Sequence, residues 1–403
     1  MKRAAIVAAI RTPVARYAGA LKDIRPDDLA ALVIREVIAR AKIDPQSIDD
    51  IYFGAANQAG EDNRNIARMA GLLAGLPVSV PGATVNRLCA SGLEAVNIAA
   101  RLIEAGHGEI MIAGGVESMT RAPFVSMKAS DSWDRTPPVM FDTTIGWRFT
   151  NPALAKLHYP FSMGETAENV ARKYNISRDA QDRFALWSQQ KWAAASELGL
   201  FNNEIIPVPI PPAKRGDSPT SFTTDEHPRP DTTIEKLAKL KPAFAKDDKG
   251  TVTAGNSSGI NDGAAALVLV EESRAKSLGL QILGYIGASA SAGVDPAEMG
   301  VGPVFATQKA LTRAGMSLAN IDIIEMNEAF AAQCLACVQL LDMDMSKINP
   351  KGGAIAIGHP LGCSGARLVV SLIHELIRTN ASTGLATACI GVGQGLATVV
   401  SRT

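Results

Sequence analysis

The chain has 403 residues, with 40 Lys+Arg against 40 Asp+Glu and a formal net charge of zero, a balance that argues against a nucleic-acid binder with its basic excess on one face. Hydrophobic residues make up 47 %, aromatic residues 5 %, and glycine reaches 35; such a chain can bury a large core of Ala, Val, Ile and Leu with many close backbone contacts, which suits an α/β enzyme of two or three domains better than a disordered or repeat protein. No apolar run approaches the roughly 20 residues needed to span a bilayer.

Behind Lys2-Arg3, the apolar run 4–10 resembles a secretory h-region, but Arg11-Thr12-Pro13 ends it without a small-residue cleavage signal. A buried first strand is expected, with secretion as the alternative. Leu29, Leu32, Val33 and Val37 then form an apolar stripe behind Asp27, a predicted N-cap, and a strand follows at 51–54. Residues 91–105 are predicted as a helix apolar nearly all round, hence buried. Ile110-Met111-Ile112 forms a short buried strand ending in Gly114-Gly115. Between 121 and 246 the composition shifts: this stretch holds all four tryptophans and more than half of the 22 prolines. It is predicted as an inserted lid, irregular except for a helical piece around 168–198, with Pro207, Pro209, Pro211 and Pro212 extended before Lys214-Arg215-Gly216.

The chain also repeats itself. Arg40-Ala41-Lys42 leading to Ser47-Ile48-Asp49-Asp50-Ile51 parallels Arg313-Ala314-Gly315 leading to Asn320-Ile321-Asp322-Ile323; Arg40 and Arg313 lie 273 positions apart, as do Ile48 and Ile321. Leu88-Cys89-Ala90-Ser91-Gly92 parallels Leu361-Gly362-Cys363-Ser364-Gly365, with Cys89 and Cys363 274 apart. A period this long means two half-molecules rather than a solenoid. The expected organisation is an N-terminal half at 1–120 completed by 247–272, a lid at 121–246 and a C-terminal half at 273–403, each half a layered α/β unit.

Three segments place reactive side chains beside glycine. Cys89, in Asn86-Arg87-Leu88-Cys89-Ala90-Ser91-Gly92, stands where the buried helix begins, and a helix N-terminus is expected to lower its thiol pKa; the competing reading is a small buried hydrophobe. His359, in Gly358-His359-Pro360-Leu361-Gly362, is expected on a strand-to-helix turn where it can shuttle a proton. Cys389 ends a predicted strand before Gly391-Val392-Gly393-Gln394-Gly395, whose backbone N–H groups could form an oxyanion hole; the spacing departs from a dinucleotide fingerprint.

Together with Gly114-Gly115-Val116-Glu117-Ser118-Met119 and Asn327-Glu328-Ala329-Phe330, these segments resemble the thiolase family, the acetyl-CoA C-acyltransferases, essentially end to end. The resemblance implies a five-layered α-β-α-β-α fold of two similar halves with a loop domain inserted in the first, assembled as homodimers or homotetramers. It implies Cys89 as the acyl-accepting nucleophile, His359 as its activator and Cys389 as the acid/base at the Cα of the second acyl-CoA. Asn327 would hold a water that binds the enolate oxygen with His359, and the N–H groups of Cys89 and Gly391 would hold the acyl oxyanion. Coenzyme A would lie under the lid as a substrate, with no permanently bound cofactor: Arg229 near the adenine nucleotide, Ala254 and Ser258 beside the pantetheine, and Met163, Phe244, Ala329 and Phe330 lining the pocket. For Arg229 the alternative is a solvated surface charge. No metal is expected. Cys334 and Cys337 have C-x-x-C spacing but no second ligand pair, which favours helix cysteines over metal or redox use; Cys363, His107, His158, His227 and His374 are not expected to be catalytic. Five cysteines, an odd number, fit a reducing cytoplasm rather than a disulfide framework.

Two departures bear on the substrate. Acetoacetyl-CoA thiolases usually have His where Ser162 precedes Met163-Gly164, and many have Ser where Lys236 stands. The stretches Asn57-Gln58-Ala59-Gly60-Glu61-Asp62-Asn63-Arg64-Asn65 and Asp142-Thr143-Thr144-Ile145-Gly146-Trp147-Arg148-Phe149 instead look like the 3-oxoadipyl-CoA thiolases. The expected activity is thiolytic cleavage of a short or dicarboxylic 3-oxoacyl-CoA through an acyl-cysteine, with a cationic lid residue holding a distal carboxylate. The alternatives are an acetoacetyl-CoA thiolase working in condensation and, more remotely, a non-catalytic CoA-binding protein.

Overall fold

A computed structural model describes residues 2–212, 218–245, 247 and 249–403; Lys214-Arg215-Gly216 lies outside the described residues. The duplication appears element by element. In the first half, helix α1 (Pro26–Ala41) ends at Lys42 in the left-handed region (φ 53°), and a 3-10 turn at Pro45–Ser47 leads into strand β2 (Asp50–Gly54). In the second half, the helix Gly302–Ala314 ends at Gly315 (φ 65°), and a 3-10 turn at Leu318–Asn320 leads into the strand Ile323–Met326. The repeat extends to single side chains. Asp49 accepts the N–H groups of Glu109 and Ile110, and Asp322 those of Ser382 and Thr383, so each aspartate opens the next strand of its half.

The remaining framework is β1 (Ala4–Arg11), β3 (Ala83–Val85), α2 (Ser91–Ala105), β4 (Ile110–Ser118), lid helices α3 (Met163–Lys173) and α4 (Arg178–Glu197), and β5 (Asn261–Glu271). Then come β6 (Gly284–Gly293), α5 (Gly302–Ala314), β7 (Ile323–Met326), α6 (Ala331–Leu341), α7 (Leu361–Thr379), β8 (Thr383–Ile390) and β9 (Gln394–Ser401). The strand order is β7-β8-β9-β6-β1-β5-β4-β2-β3. In each half a parallel pair (β2/β4, β7/β8) is followed by two antiparallel ones (β4/β5/β1, β8/β9/β6). Within the sheet, the described strands of the two halves pair at Ala4↔Ile286, Ala5↔Tyr285 and Ile6↔Gly284.

Three cores separate the layers. Leu29, Val33 and Val37 of α1 pack on Ile51, Ile112 and Val268. In the centre, Leu93 and Val96 of α2 and Leu368 and Leu372 of α7 pack on Met111, Ala113, Leu267, Ala386 and Val400. On the far side, Ala306 and Ala310 of α5 and Ala336 of α6 pack on Ile324, Leu385 and Val399. The order is therefore α-β-α-β-α. Strand β4 shows why its run is continuously apolar: Ile110, Ile112 and Val116 face one core, Met111 and Ala113 the other. Helix α2 is buried for the same reason, enclosed between sheets and α7.

Local expectations are corrected in four places. Asp27 is inside the first turn of α1, whose N-cap is Arg25 without a side-chain cap; Pro26 fixes the start instead. Strand β4 continues through both glycines to Ser118, because β5 pairs with it along its length. The lid helix is two helices, α3 and α4, each begun by a serine cap, Ser162 and Ser177. Ahead of His359, Ala354–Ile357 is a helical turn and not a strand.

The segments that carry Glu204 and Asp225 are pinned by buried charge. Arg11 Nε donates to Glu204 (2.9 Å) and its two Nη atoms to Asp225 (2.7 and 3.0 Å), while Lys351 Nζ donates to Glu204 (2.6 Å). Burial alone would raise the Glu204 pKa, but Lys351 and Arg11 outweigh it and hold the carboxyl at about 2, below its ordinary 4.5. The ionised form thus stabilises the fold above pH 4.5, and that contribution is lost as pH falls toward 2. Glu204→Ala, which strands two buried cations, is expected to cost about 3–5 kcal/mol at pH 7, read from urea denaturation, with the penalty shrinking in acid.

The central layer depends on missing side chains. A Cβ on Gly115 would lie 2.0 Å from the carbonyl oxygen of Gly362, and one on Gly92 2.6 Å from the same atom. Gly115→Ala is expected to destabilise by about 3 kcal/mol, measured as a lowered denaturation midpoint.

Candidate active site

The duplicated central helices α2 and α7 begin side by side, and the chain segments that feed them carry the reactive groups. Strand β3 leads through Asn86-Arg87-Leu88 to Cys89 and α2. Leu88 is held at φ 47°, a left-handed conformation unfavourable for a branched side chain. Its neighbours hold it there: Asn86 Oδ1 accepts the Leu88 N–H (2.9 Å), while Ser91 Oγ accepts the Arg87 N–H (2.9 Å) and donates to the Leu88 carbonyl (2.6 Å). The elbow keeps Cys89 partly open to a cavity of about 290 Å3, whereas Cys334, Cys337, Cys363 and Cys389 are buried.

The thiol does not have the expected low pKa. Desolvation pushes Cys89 up to about 11; N–H groups of Gly391 and of Cys89 itself work the other way, and Glu117 adds to the rise. The helix terminus is outweighed because the sulfur sits in an apolar wall. Cys89 is therefore a neutral thiol at rest, with two N–H donors directed at its surroundings.

His359 is buried, and burial followed by Arg367 pushes its pKa down to about 3; it is a neutral imidazole. Its tautomer follows from which neighbours can donate. Ser364 Oγ lies 2.8 Å from the Pro360 carbonyl, which can only accept, and 2.6 Å from His359 Nδ1. The hydroxyl proton goes to the carbonyl, so Nδ1 carries the ring proton and Nε2 the lone pair. Asn327 Nδ2 is 3.3 Å from that Nε2 and completes the pair as donor. Asn327, at the end of β7, has its N–H on the Thr387 carbonyl, and its Oδ1 is buried without a hydrogen-bond partner in the protein.

Cys389, at the end of β8, is close enough to Cys89 for its pKa, raised chiefly by burial, to be raised further by that neighbour. Gly391 begins the β8–β9 turn, where Val392 (φ 65°) and Gly393 (φ 77°) reverse the chain. A Cβ on Gly391 would meet Leu88 and Met163, both 3.3 Å away. Cys89, Gly391 and Met163 line the same cavity, with Cys389 beside it and the His359–Asn327 pair at the foot of α7.

Other sequence-expected residues lie further along the lid face. Arg229 is exposed and, with Ala254, lines a second cavity of about 230 Å3 together with His227 and Lys236. Phe244 covers Gly164 and meets Phe330 edge-on at 6.1 Å; Ser258 donates its N–H to the Ala329 carbonyl at 2.9 Å. Ser162, at the position where acetoacetyl-CoA thiolases usually have histidine, is occupied as the N-cap of α3. His107 and His158 are exposed, and His374 bonds to the Ala9 carbonyl. Cys334 and Cys337 are buried on α6, bonded to the carbonyls of Asn327 and Gly300.

Glu117, to which sequence reasoning gives no role, holds a central position. At the end of β4 it accepts the N–H groups of Ala56 (2.9 Å), Asn57 (3.1 Å) and Gly362 (2.8 Å), and so ties the first half to the start of α7 beside His359. Burial pushes its pKa up to about 7. An acid inside an otherwise apolar strand is its one legible mark.

Family models for the thiolase N-terminal domain and the thiolase C-terminal domain match residues 4–273 and 280–402. The chain belongs to the thiolase family. It is 54 % identical, over the full length of both chains, to the 3-oxoadipyl-CoA/3-oxo-5,6-dehydrosuberyl-CoA thiolase of Escherichia coli K12. The Bacillus anthracis acetyl-CoA acetyltransferase superposes with a TM-score of 0.92 at 42 % identity, covering 100 % of this chain and 99 % of that one. The human mitochondrial 3-ketoacyl-CoA thiolase in complex with CoA superposes with a TM-score of 0.91 at 40 % identity, covering 100 % and 98 %. As a thiolase, the chain is an acyltransferase.

A neutral thiol at Cys89 and a neutral imidazole at His359 make a testable pH profile. Alkylation of Cys89 by iodoacetamide, followed by intact mass with Cys89→Ser as the control, is expected to rise only toward pH 11 and to show no step near 6.5, the ordinary imidazole value. A plateau below about pH 8 would instead indicate a preformed thiolate–imidazolium pair.

Proposed function

We propose that this thiolase cleaves 3-oxoadipyl-CoA with coenzyme A to give acetyl-CoA and succinyl-CoA. One observation carries the substrate reading. The two stretches that look like 3-oxoadipyl-CoA thiolases meet in the wall of the Cys89 cavity, where Asn57 Nδ2 donates to Thr143 Oγ1 at 2.9 Å and Thr143 through Arg148 line the space. The relative that is 54 % identical over its full length carries that substrate in its name.

In this reading His359 Nε2 takes the Cys89 proton as the sulfur attacks the C3 carbonyl of the bound 3-oxoacyl-CoA. The N–H groups of Cys89 and Gly391 hold the resulting oxyanion. Collapse breaks the C2–C3 bond, leaving an acyl-cysteine and the enolate of acetyl-CoA. Protonated His359 and a water donate to the enolate oxygen, and that water gives its other hydrogen to the unpartnered Asn327 Oδ1, which accepts it. Cys389 returns a proton to C2. The thiol of coenzyme A then gives its proton to Cys389 and attacks the acyl-cysteine, expelling the Cys89 sulfur, which recovers its proton from His359; one difficult step becomes two and the kinetics are ping-pong. Coenzyme A would lie along Met163, Phe244, Ala329 and Phe330, with Ala254 and Ser258 beside the pantetheine and Arg229 at the nucleotide end, under a lid spanning 121–246.

The chain would act in the cytoplasm as a homodimer or a homotetramer, a dimer of dimers. Support comes from the exposed apolar side chains around the lid hairpin Phe124–Ser126/Met140–Asp142, including Phe124, Trp133 and Met140, which a second copy would cover.

Intact mass after addition of acetyl-CoA is expected to show one acetyl group on the wild-type chain and none on Cys89→Ala. Cys389→Ala is expected to accept the acetyl group yet to lose roughly 10²–10⁴-fold in thiolysis, the usual contribution of a general acid. Thiolysis of 3-oxoadipyl-CoA should exceed that of acetoacetyl-CoA; a strong acetoacetyl preference would select the condensing acetyltransferase instead.

A further inference from the structure

The cavity that holds Cys89 is mostly apolar, lined by Leu88, Met119, Ala122, Ile145, Met163 and Leu361 among others. Two charged residues share that wall. Glu117 is committed to three backbone N–H groups. Arg148 is half-buried, and among the described residues its guanidinium has neither a carboxylate partner nor a hydrogen bond. Arg11, Arg25, Arg121, Arg178, Arg367 and Arg378 are each paired with an acid, and Arg64, Arg135 and Arg229, which share the lack of a side-chain partner among the described residues, are exposed and lie outside this cavity.

The backbone around Arg148 is nevertheless well held. Thr144 Oγ1 donates to the Met119 carbonyl (3.3 Å) and Trp147 Nε1 to the Phe161 carbonyl (2.9 Å). Gly146 (φ 92°) and Phe149 (φ 51°) make the turn, and the Phe149 ring packs edge-on against Phe141 at 4.9 Å. Both neighbours of Arg148 are thus anchored while its own guanidinium donors are left free. A cation displayed on a fixed turn in an apolar wall loses hydration and gains nothing from the protein, so the compensating partner is a ligand group.

We propose that Arg148 is the specificity-determining residue for a free carboxylate at the distal end of the acyl chain, which it grips with two parallel N–H···O bonds. The inference rests on the dicarboxylic reading above and names the residue that enforces it. The planar guanidinium matches a carboxylate bidentately, and a monocarboxylic acyl chain offers it only methyl and methylene groups. Recognition of this kind acts by leaving a partly desolvated polar group unpaired with the wrong substrate, which rejects an analogue more sharply than shape does.

The test compares 3-oxoadipyl-CoA with 3-oxohexanoyl-CoA, which has the same chain length with methyl in place of carboxylate, on the full-length wild type, Arg148→Ala and Arg148→Lys. Wild type is expected to favour 3-oxoadipyl-CoA in kcat/KM. Arg148→Ala should lower the ratio of the two kcat/KM values by roughly 10- to 150-fold, the range for a lost charge-assisted pair, mainly through KM for 3-oxoadipyl-CoA. Arg148→Lys should restore part of the ratio as a point charge. If both substrates lose equally in Arg148→Ala, the residue is structural and the proposal fails. A wild-type preference that survives intact in Arg148→Ala overturns the role of Arg148 but leaves the substrate reading standing. If the wild type shows no preference for the carboxylate, the dicarboxylic reading falls and the proposal falls with it.

Discussion

The whole site depends on how closely two backbones approach. Helices α2 and α7 start in the middle layer with the Gly362 carbonyl oxygen against Gly92 and Gly115, at separations that leave no room for a Cβ. Had either glycine carried even a methyl group, the helices would be forced apart, and so would the segments that feed them. Cys89 stands three residues before Gly92 and His359 three before Gly362, so the spacing of the segments that carry them is set by this contact. Glu117 reinforces it from the side, accepting N–H groups from both halves in one carboxylate. Packing of this kind is stiff, because interiors are close-packed and transmit small displacements.

Duplication supplied the parts and divergence gave them different work. Ser91 and Ser364, 273 positions apart, stand in the first turn of α2 and α7. Each donates its hydroxyl to a carbonyl three or four residues back, Leu88 or Pro360, and keeps a lone pair for a second partner. In the first half that partner is the Arg87 N–H, which steadies the elbow under Cys89. In the second it is His359 Nδ1, which fixes the lone pair on Nε2. Where the first half places Cys89, the second half places Gly362 and the buried Cys363. A symmetric scaffold thus carries Cys89 and His359 asymmetrically.

Much of this could be read in the sequence. The repeat at 273 positions and the helix at 91–105 stand in the structure where the sequence implies them, and α2 begins and ends at the expected residues. What could not be read depends on tertiary surroundings. Helix-terminus logic indicated a lowered Cys89 pKa, but the effect that wins is desolvation by walls that come from the lid and from Gly391, far away in sequence. Asp27 looked like a cap because capping residues are polar, yet Pro26 had already fixed the helix start. The Gly114-Gly115 pair reads as a strand end; in the fold Gly115 is what allows β4 to pass beneath Gly362, while Gly114 makes room for Phe53 and the Ala265 carbonyl. Glu117 was visible as an acid in an apolar run, but its three partners, from Ala56, Asn57 and Gly362, could be known only from the fold.

The zero net charge conceals a division of labour among the cations. Arg11 and Lys351 are buried against Glu204 and Asp225, so their charge holds the lid to both halves and none of it is offered outward. That anchoring fixes the lid's attachment without filling the space beneath it. Arg148, carried on the same lid, is the reverse case: its neighbours are fastened and its guanidinium is not. A rigid lid root makes an unpaired lid cation effective, because a displayed charge discriminates between ligands only if it cannot swing away to solvent when the wrong one arrives. Counting charges along the chain averages these two uses to nothing. Their difference lies in which cations have found a partner within the protein and which have been kept waiting for one.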